Sequence, residues 1–334
     1  MLQPLAIGLM DELVDLTVVC PQEANIRQLP SPPMAVARYG RLKWLVFPTR
    51  AVEALATEVR SRKIQLLHAL DAHAAGLADR LAKRAGIRYV VGSYALGDGR
   101  RLSWLDDRAS AVLAASEPVR AELVERRVAR PARIRLVRPG VHHVRHATCF
   151  NDPQCSVSMV AAGPLDDVAA FDAVLQAFAE LHARNYDCTF FIIGRGRAEK
   201  RLRARAENLH LRSQLTFVDV RSTGQLLEIY KAADIYISPI ASGRVDMDVL
   251  AAMAAGVPVL AARDGASDFL IDGRTAQLFT RGNVGELTVK LTALLDDRAA
   301  ARSMAESALE YVRTAHGSAA MVSAVADVYR EALQ

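Results

Sequence analysis

The stretch Ser238–Gly273, SPIASGRVDMDVLAAMAAGVPVLAARDGASDFLIDG, constrains the fold more than any other part of the chain. An apolar run, Ala233 to Ile237, reads as a strand that enters a turn at Pro239 and a short loop. A helix of small and apolar residues follows from Val249 to Ala255, then a second apolar strand from Val257 to Ala262. Gly256 can end that helix in a left-handed conformation, and Pro258 prevents its continuation. Strand, loop and helix make half of a phosphate-site unit. The loop then lies at the carboxyl end of a parallel strand, the edge at which open α/β sheets bind ligands.

The same alternation runs through the chain. LAIGLMDE suggests a short helix, Val14 to Cys20 a strand, Pro30, Pro32 and Pro33 a loop, Trp44 to Phe47 a strand, and Thr49 caps a helix to about Ser61. Ile64 to His68 is a strand, and Asp71 caps an amphipathic helix that Gly86 ends. Tyr89–Gly92, Ala111–Ala115 and Ile134–Val137 follow as strands, separated by helices around Leu102–Arg108 and Glu117–Arg127. Residues Ala147 to Ser156 read as a linker, after which a second alternating pattern starts at Val157. Helices near Val284–Leu295, Ala299–Thr314 and Ser318–Leu333 close the chain. Alternating strands and helices mean parallel sheets.

A chain of 334 residues fits two domains. Hydrophobic content of 51%, without an apolar run of membrane-spanning length or a signal-like start, leads to the expectation of a cytoplasmic protein. Cys20, Cys149, Cys155 and Cys188 form no Cys-x-x-Cys pair, so no metal site is expected and the thiols read as structural. The net charge of +5 is clustered. One cluster runs from Arg120 through Arg138 and Arg145 to His146, and another from Arg195 to Arg205. Such clusters attract phosphates or an anionic membrane surface, or are simply a solvated face. Nucleic acid is disfavoured because few aromatic residues interleave them.

LAAMAAGVPVLAARDGASDFLIDGRTAQLF resembles the donor-binding segment of retaining glycosyltransferases of the GT-B fold, family 4, whose pattern is roughly PSxxEGFGxxxLEAMAxGxPVxAxxxGGxxExIxDGxTGxLF. LLHAL, AASEPVRAEL, VRPGVH, the run from VSMVAAGPLDD and CTFFIIGRGR are similar to further segments of that family in the same order. The resemblance implies an α/β fold of two Rossmann-type parallel-sheet domains facing a cleft. Domain limits would be 1–150 and 151–315, with a C-terminal helix, 316–334, crossing back onto the first domain. The family begins with a strand and a glycine-rich turn. This sequence starts where the first helix would, so that first strand is expected to be missing.

The donor-side positions that the resemblance implies are Gly163, Gly194, Arg195, Arg197, Asp219, Val220, Ser242, Gly243, Arg244, Val249, Leu250 and Ala251; His68 and Tyr94 fall on the acceptor side of the cleft. The sequence departs from the family where its chemistry resides. Gly243 and Ala251 stand in place of two glutamates, Pro164 replaces an arginine, and Asp166 and Asp167 occupy the loop that carries a lysine. Those two cations neutralise the donor diphosphate in the family, whereas two aspartates would cap the helix and repel it. Arg195, Arg197 and Arg244 are the remaining candidates for a phosphate contact. Two readings stay open. One is a divergent glycosyltransferase using a nucleotide-sugar donor, no metal, and a glycan or lipid-linked acceptor. The other is an inactive binding or scaffold subunit, the partner of an active glycosyltransferase.

Overall fold

The computed structural model describes residues 2–24, 34–40, 49–152, 155–220 and 222–334. The chain divides into two compact units, Met1–Gly140 with His316–Gln334, and Val141–Ala315. The first contains α1 (Leu2–Asp11), β1 (Thr17–Pro21), β2 (Ala35–Tyr39), α2 (Thr49–Ser61), β3 (Leu66–Ala69), α3 (Ala75–Ala85), β4 (Arg88–Ser93), α4 (Asp98–Arg101), β5 (Ala109–Ala114), α5 (Glu117–Glu125) and β6 (Ile134–Leu136). The second contains β7 (Val157–Ala162), α6 (Val168–Ala183), β8 (Cys188–Ile193), α7 (Glu199–Asn208), β9 (Leu215–Val218), α8 (Thr223–Lys231), β10 (Ile235–Ser238), α9 (Met247–Ala254), β11 (Val259–Ala262), β12 (Gln277–Phe279), α10 (Val284–Asp296) and α11 (Arg298–Ala315). The last helix, α12 (Ser318–Leu333), returns to the first unit.

In the first unit β1 and β2 pair in parallel, and β3-β4-β5-β6 form a separate parallel sheet. α1 and α12 cover one face of that sheet, where Leu5, Leu9, Val322 and Val325 pack on Val90, Ala111 and Leu113. The described residues begin in α1, and the first strand among them is β1. β2 was not foreseen from the sequence, and the strand expected at Trp44–Phe47 and the proline loop lie outside the described residues.

The helix expected around Leu102–Arg108 is not formed. The Asp98 carboxylate accepts hydrogen bonds from Ser93 Oγ (3.0 Å) and from the Tyr94 and Ala95 amides (both 3.1 Å), which places the helical turn at Asp98–Arg101 instead. Asp106 then takes the Arg108 amide (3.0 Å) in a local turn that competes with helix.

The second unit is a single six-stranded parallel sheet, ordered β12-β11-β10-β7-β8-β9. Phe178 stacks on Phe190 with ring centroids 4.8 Å apart, in a core shared with Met159, Phe171 and Ile237. Gly256, at φ 74°, terminates α9 as its sequence required, and an added Cβ there would lie 2.7 Å from Ala147 Cα.

Residues 141–150, which the sequence reading placed in the first domain, group with the second unit. The Val144 amide donates to Ala254 O (2.9 Å), and the Asp234 carboxylate accepts from the amides of Phe150 (2.6 Å) and Ser158 (2.9 Å). Asp234 thus ties the entering segment to the first strand of the sheet. Removing it leaves two amides without their charged acceptor, so Asp234→Ala is expected to destabilise the second unit by about 2–4 kcal/mol, and Asp234→Asn by less. Urea unfolding measures this; an unchanged midpoint for Asp234→Ala contradicts the assignment.

Candidate functional site

The carboxyl ends of β7, β8, β9 and β10 bring the sequence-predicted donor positions onto one edge of the second sheet. The β7 and β8 loops are pressed together there. A Cβ at Gly194 (φ 156°) would stand 2.0 Å from Gly163 O, and the Leu165 amide donates to Arg195 O (3.0 Å). Gly194 therefore has a structural reason independent of any ligand.

Each candidate cation after β8 meets an acid of the same edge. Arg195 donates to Asp219 from Nε (2.9 Å) and Nη2 (2.5 Å), and Arg197 donates to Asp166 from its amide (3.0 Å) and Nε (3.3 Å). These contacts, the Arg197 amide foremost, hold the Asp166 carboxyl below its usual range. The Asp167 side chain accepts from the Ala170 amide (3.1 Å), capping α6, and from Arg281 Nε (2.8 Å). Val220 is half-buried beside Asp219. Arg244 is exposed, and among the described residues its guanidinium makes no ion pair; its amide donates to Ser242 Oγ (3.3 Å).

Asp246 and Asp248 were not singled out as site residues from the sequence, and the structure places Asp246 at the start of α9 and Asp248 in its first turn. Asp246 Oδ1 accepts from the amides of Asp248 (3.0 Å) and Val249 (3.1 Å), the first turn of α9, while Ser238 Oγ donates to Oδ2 (2.8 Å). An Asp just before an apolar helical run is an N-cap signal that could have identified it. Burial, and then the neighbouring Asp246 carboxylate, push the Asp248 carboxyl up to about 6. Burial also raises Asp264, which lies near Asp246. Gly243, at φ 66°, occupies a left-handed position, and Val249 and Leu250 are buried in the core. Only Ala251 of that helical trio keeps part of its surface exposed.

The acceptor-side candidates lie in the first unit. His68 Nδ1 is 2.7 Å from the hydroxyl of Tyr329 on α12, with the two rings edge to face at 5.7 Å. Burial lowers its pKa to about 4, so the ring is neutral near pH 7. Burial raises the Tyr94 hydroxyl well above its ordinary value, which makes it no base at neutral pH. His68 is thus packed against a helix of its own unit. Tyr329 was not singled out from the sequence, because the partner lies 261 residues away.

The family described as Glycosyl transferases group 1 matches residues 157–311, and that described as Glycosyltransferase Family 4 matches residues 3–145. The chain belongs to the family 4 glycosyltransferases. It is 28% identical over 246 residues to D-inositol 3-phosphate glycosyltransferase 2 of Catenulispora acidiphila, covering 68% of this chain and 57% of that protein. It is 29% identical over 178 residues to D-inositol 3-phosphate glycosyltransferase of Corynebacterium glutamicum, covering 51% and 42%. The chain therefore spans about half the length of these curated relatives. Its fold is GT-B. Sucrose-phosphate synthase of Thermosynechococcus elongatus superposes with a TM-score of 0.81 at 18% identity, covering 99% of this chain and 92% of that one. Anabaena HepE in complex with UDP gives 0.75 at 14% identity, covering 94% and 99%.

The half-buried Asp248 on α9 gives this fold a specific pH dependence. A carboxyl raised from 3.8 unfolded to about 6 folded binds its proton more tightly in the native state. Its contribution to stability is therefore full below about pH 4 and lost as pH rises through 6. Asp248→Asn is expected to stabilise the second unit by about 2–3 kcal/mol at pH 7.5 and to have little effect at pH 4. Urea unfolding at the two values checks this, and an equal effect at both contradicts it.

Proposed function

We propose that this chain is a non-catalytic member of its family, a binding or scaffold subunit whose donor edge does not hold a nucleotide diphosphate in the family manner. The observation that carries this reading is the Asp246 carboxylate on the first amides of α9. A helix N-terminus is a ready anion site. Here a side chain of the protein fills it, with Asp248 in the same turn. Asp167 does the same at α6. A diphosphate brought within about 4 Å of one such carboxylate meets a repulsion of about 4 kcal/mol at an effective dielectric of 20. The family's compensating cations are absent, since neither Pro164 nor Asp166 brings positive charge, and Gly243 and Ala251 replace its two glutamates. An active glycosyltransferase is the partner class that the family resemblance suggests for such a subunit.

The second reading is transfer of a sugar from a nucleotide donor, with Arg195, Arg197 or Arg244 serving the phosphates. It is favoured by the relatives' names and by the neighbours solved with UDP and UDP-glucose. The ion pairs that hold Arg195 and Arg197 are exposed and worth about 0–1 kcal/mol each, so they could exchange for a phosphate. The carboxylate on α9 has no such easy exchange, because it also accepts from Ser238.

Calorimetry with UDP, GDP and UDP-glucose, together with a hydrolysis assay, separates the two. The expected result is no saturable binding at millimolar nucleotide and no turnover. Ala251→Glu alone is expected to gain nothing. Ala251→Glu combined with Asp246→Gly, which also clears the α9 amides, is expected to gain about tenfold or more in nucleotide affinity. Specific binding with turnover by the unmodified protein overturns the non-catalytic reading.

A further inference from the structure

The first unit holds a cavity of about 210 Å³ at the amino-terminal edge of its four-stranded sheet. That edge is opposite to the strand ends that carry His68 and Tyr94. Its wall comes from the starts of three adjacent strands, Arg88 on β4, Ser110 on β5 and Arg133 and Arg135 around the start of β6, and from Glu331 near the end of α12. All of these residues belong to the first unit, so the cavity is independent of the donor edge of the second.

Two observations point to a ligand here. The ladder between β4 and β5 slips at this spot: Tyr89 pairs with Ala109 but Val90 pairs with Ala111, so Ser110 is the extra residue of a β-bulge. Bulges re-aim a side chain and are over-represented beside functional sites. Arg88 is exposed at the same wall and, among the described residues, makes no ion pair.

The charge balance selects the ligand. Arg133 is paired with Asp107 (2.8 Å) and Arg135 with Glu331 (2.8 Å), so Arg88 leaves the wall with one uncompensated positive charge. Asp107 is largely exposed at 83% and screened by solvent, which leaves Arg133 able to take a second acceptor. The carboxyl end of α12 and Glu331 oppose an anion, and three guanidinium groups outweigh them. The volume, about 210 Å³, is below the range typical of drug-sized ligands and suits a small group. We infer that this cavity binds a phosphate monoester, with Arg88 and Arg133 on the phosphate oxygens. Glu331 can then accept from a hydroxyl of the esterified alcohol. The monoester is either a free small polyol phosphate or the headgroup of a lipid such as phosphatidic acid.

The test uses the full chain and two probes. Glycerol 3-phosphate is titrated by calorimetry with glycerol as control, and sedimentation is followed with phosphatidylcholine vesicles containing phosphatidic acid. At least one probe is expected to bind, about tenfold more weakly to Arg88→Gln. Arg100→Gln, outside the cavity, is expected to leave binding unchanged. Binding of glycerol 3-phosphate assigns a soluble ligand, and binding of vesicles alone assigns a lipid headgroup; both support the site. The proposal is overturned if neither probe binds the correctly folded protein, or if Arg88→Gln and Arg100→Gln weaken binding equally.

Discussion

The Asp246 carboxylate accepts hydrogen bonds from the first amides of α9 and, through Ser238, is joined to the end of β10. This one contact fixes how the strand passes into the helix. Its amide is fixed in turn by Ser267 Oγ (3.2 Å), which brings the loop after β11 onto the same point. The electrostatics of the edge follow from it. Asp248 is forced next to a carboxylate and away from water, and its carboxyl is raised accordingly. A fold that elsewhere uses helix N-termini to receive anions here spends them on its own side chains.

Much of the fold was legible in the sequence because it depends on local rules. The apolar strands and the Gly256 stop follow from periodicity and backbone freedom, and Asp167 caps α6 as its position before an apolar helix implied. The misreadings have a common cause. Leu102–Arg108 has helical composition, but Asp98 captures amides before it and Asp106 captures the Arg108 amide at its end. The linker was placed by its Asn, Asp and Pro residues, whereas the true boundary depends on Asp234, which lies 84 positions beyond the amide of Phe150 that it holds.

The site was legible as a set of positions and not as an arrangement. Arg195 and Arg197 read as candidate phosphate ligands from their charge and their place at the entrance to a helix; their carboxylate partners come from other loops at 24 and 31 residues' separation. The same holds for the basic stretch after Arg120. Arg120, Arg126, Arg133 and Arg135 are each matched to an acid, so the cluster is less positive in space than in sequence. His68 fell on the acceptor side by resemblance, and in the structure its ring meets the hydroxyl of Tyr329 on α12.

The most direct test of the central claim is hydrogen–deuterium exchange of the full chain with and without saturating UDP-glucose, read at the amides of Asp248 and Val249 and at the Gly194–Arg197 loop. The account predicts no change at either place, because the α9 amides are already bonded to Asp246 and the loop arginines to Asp219 and Asp166. Ligand-dependent protection at both places would show a phosphate displacing those carboxylates, and would contradict it.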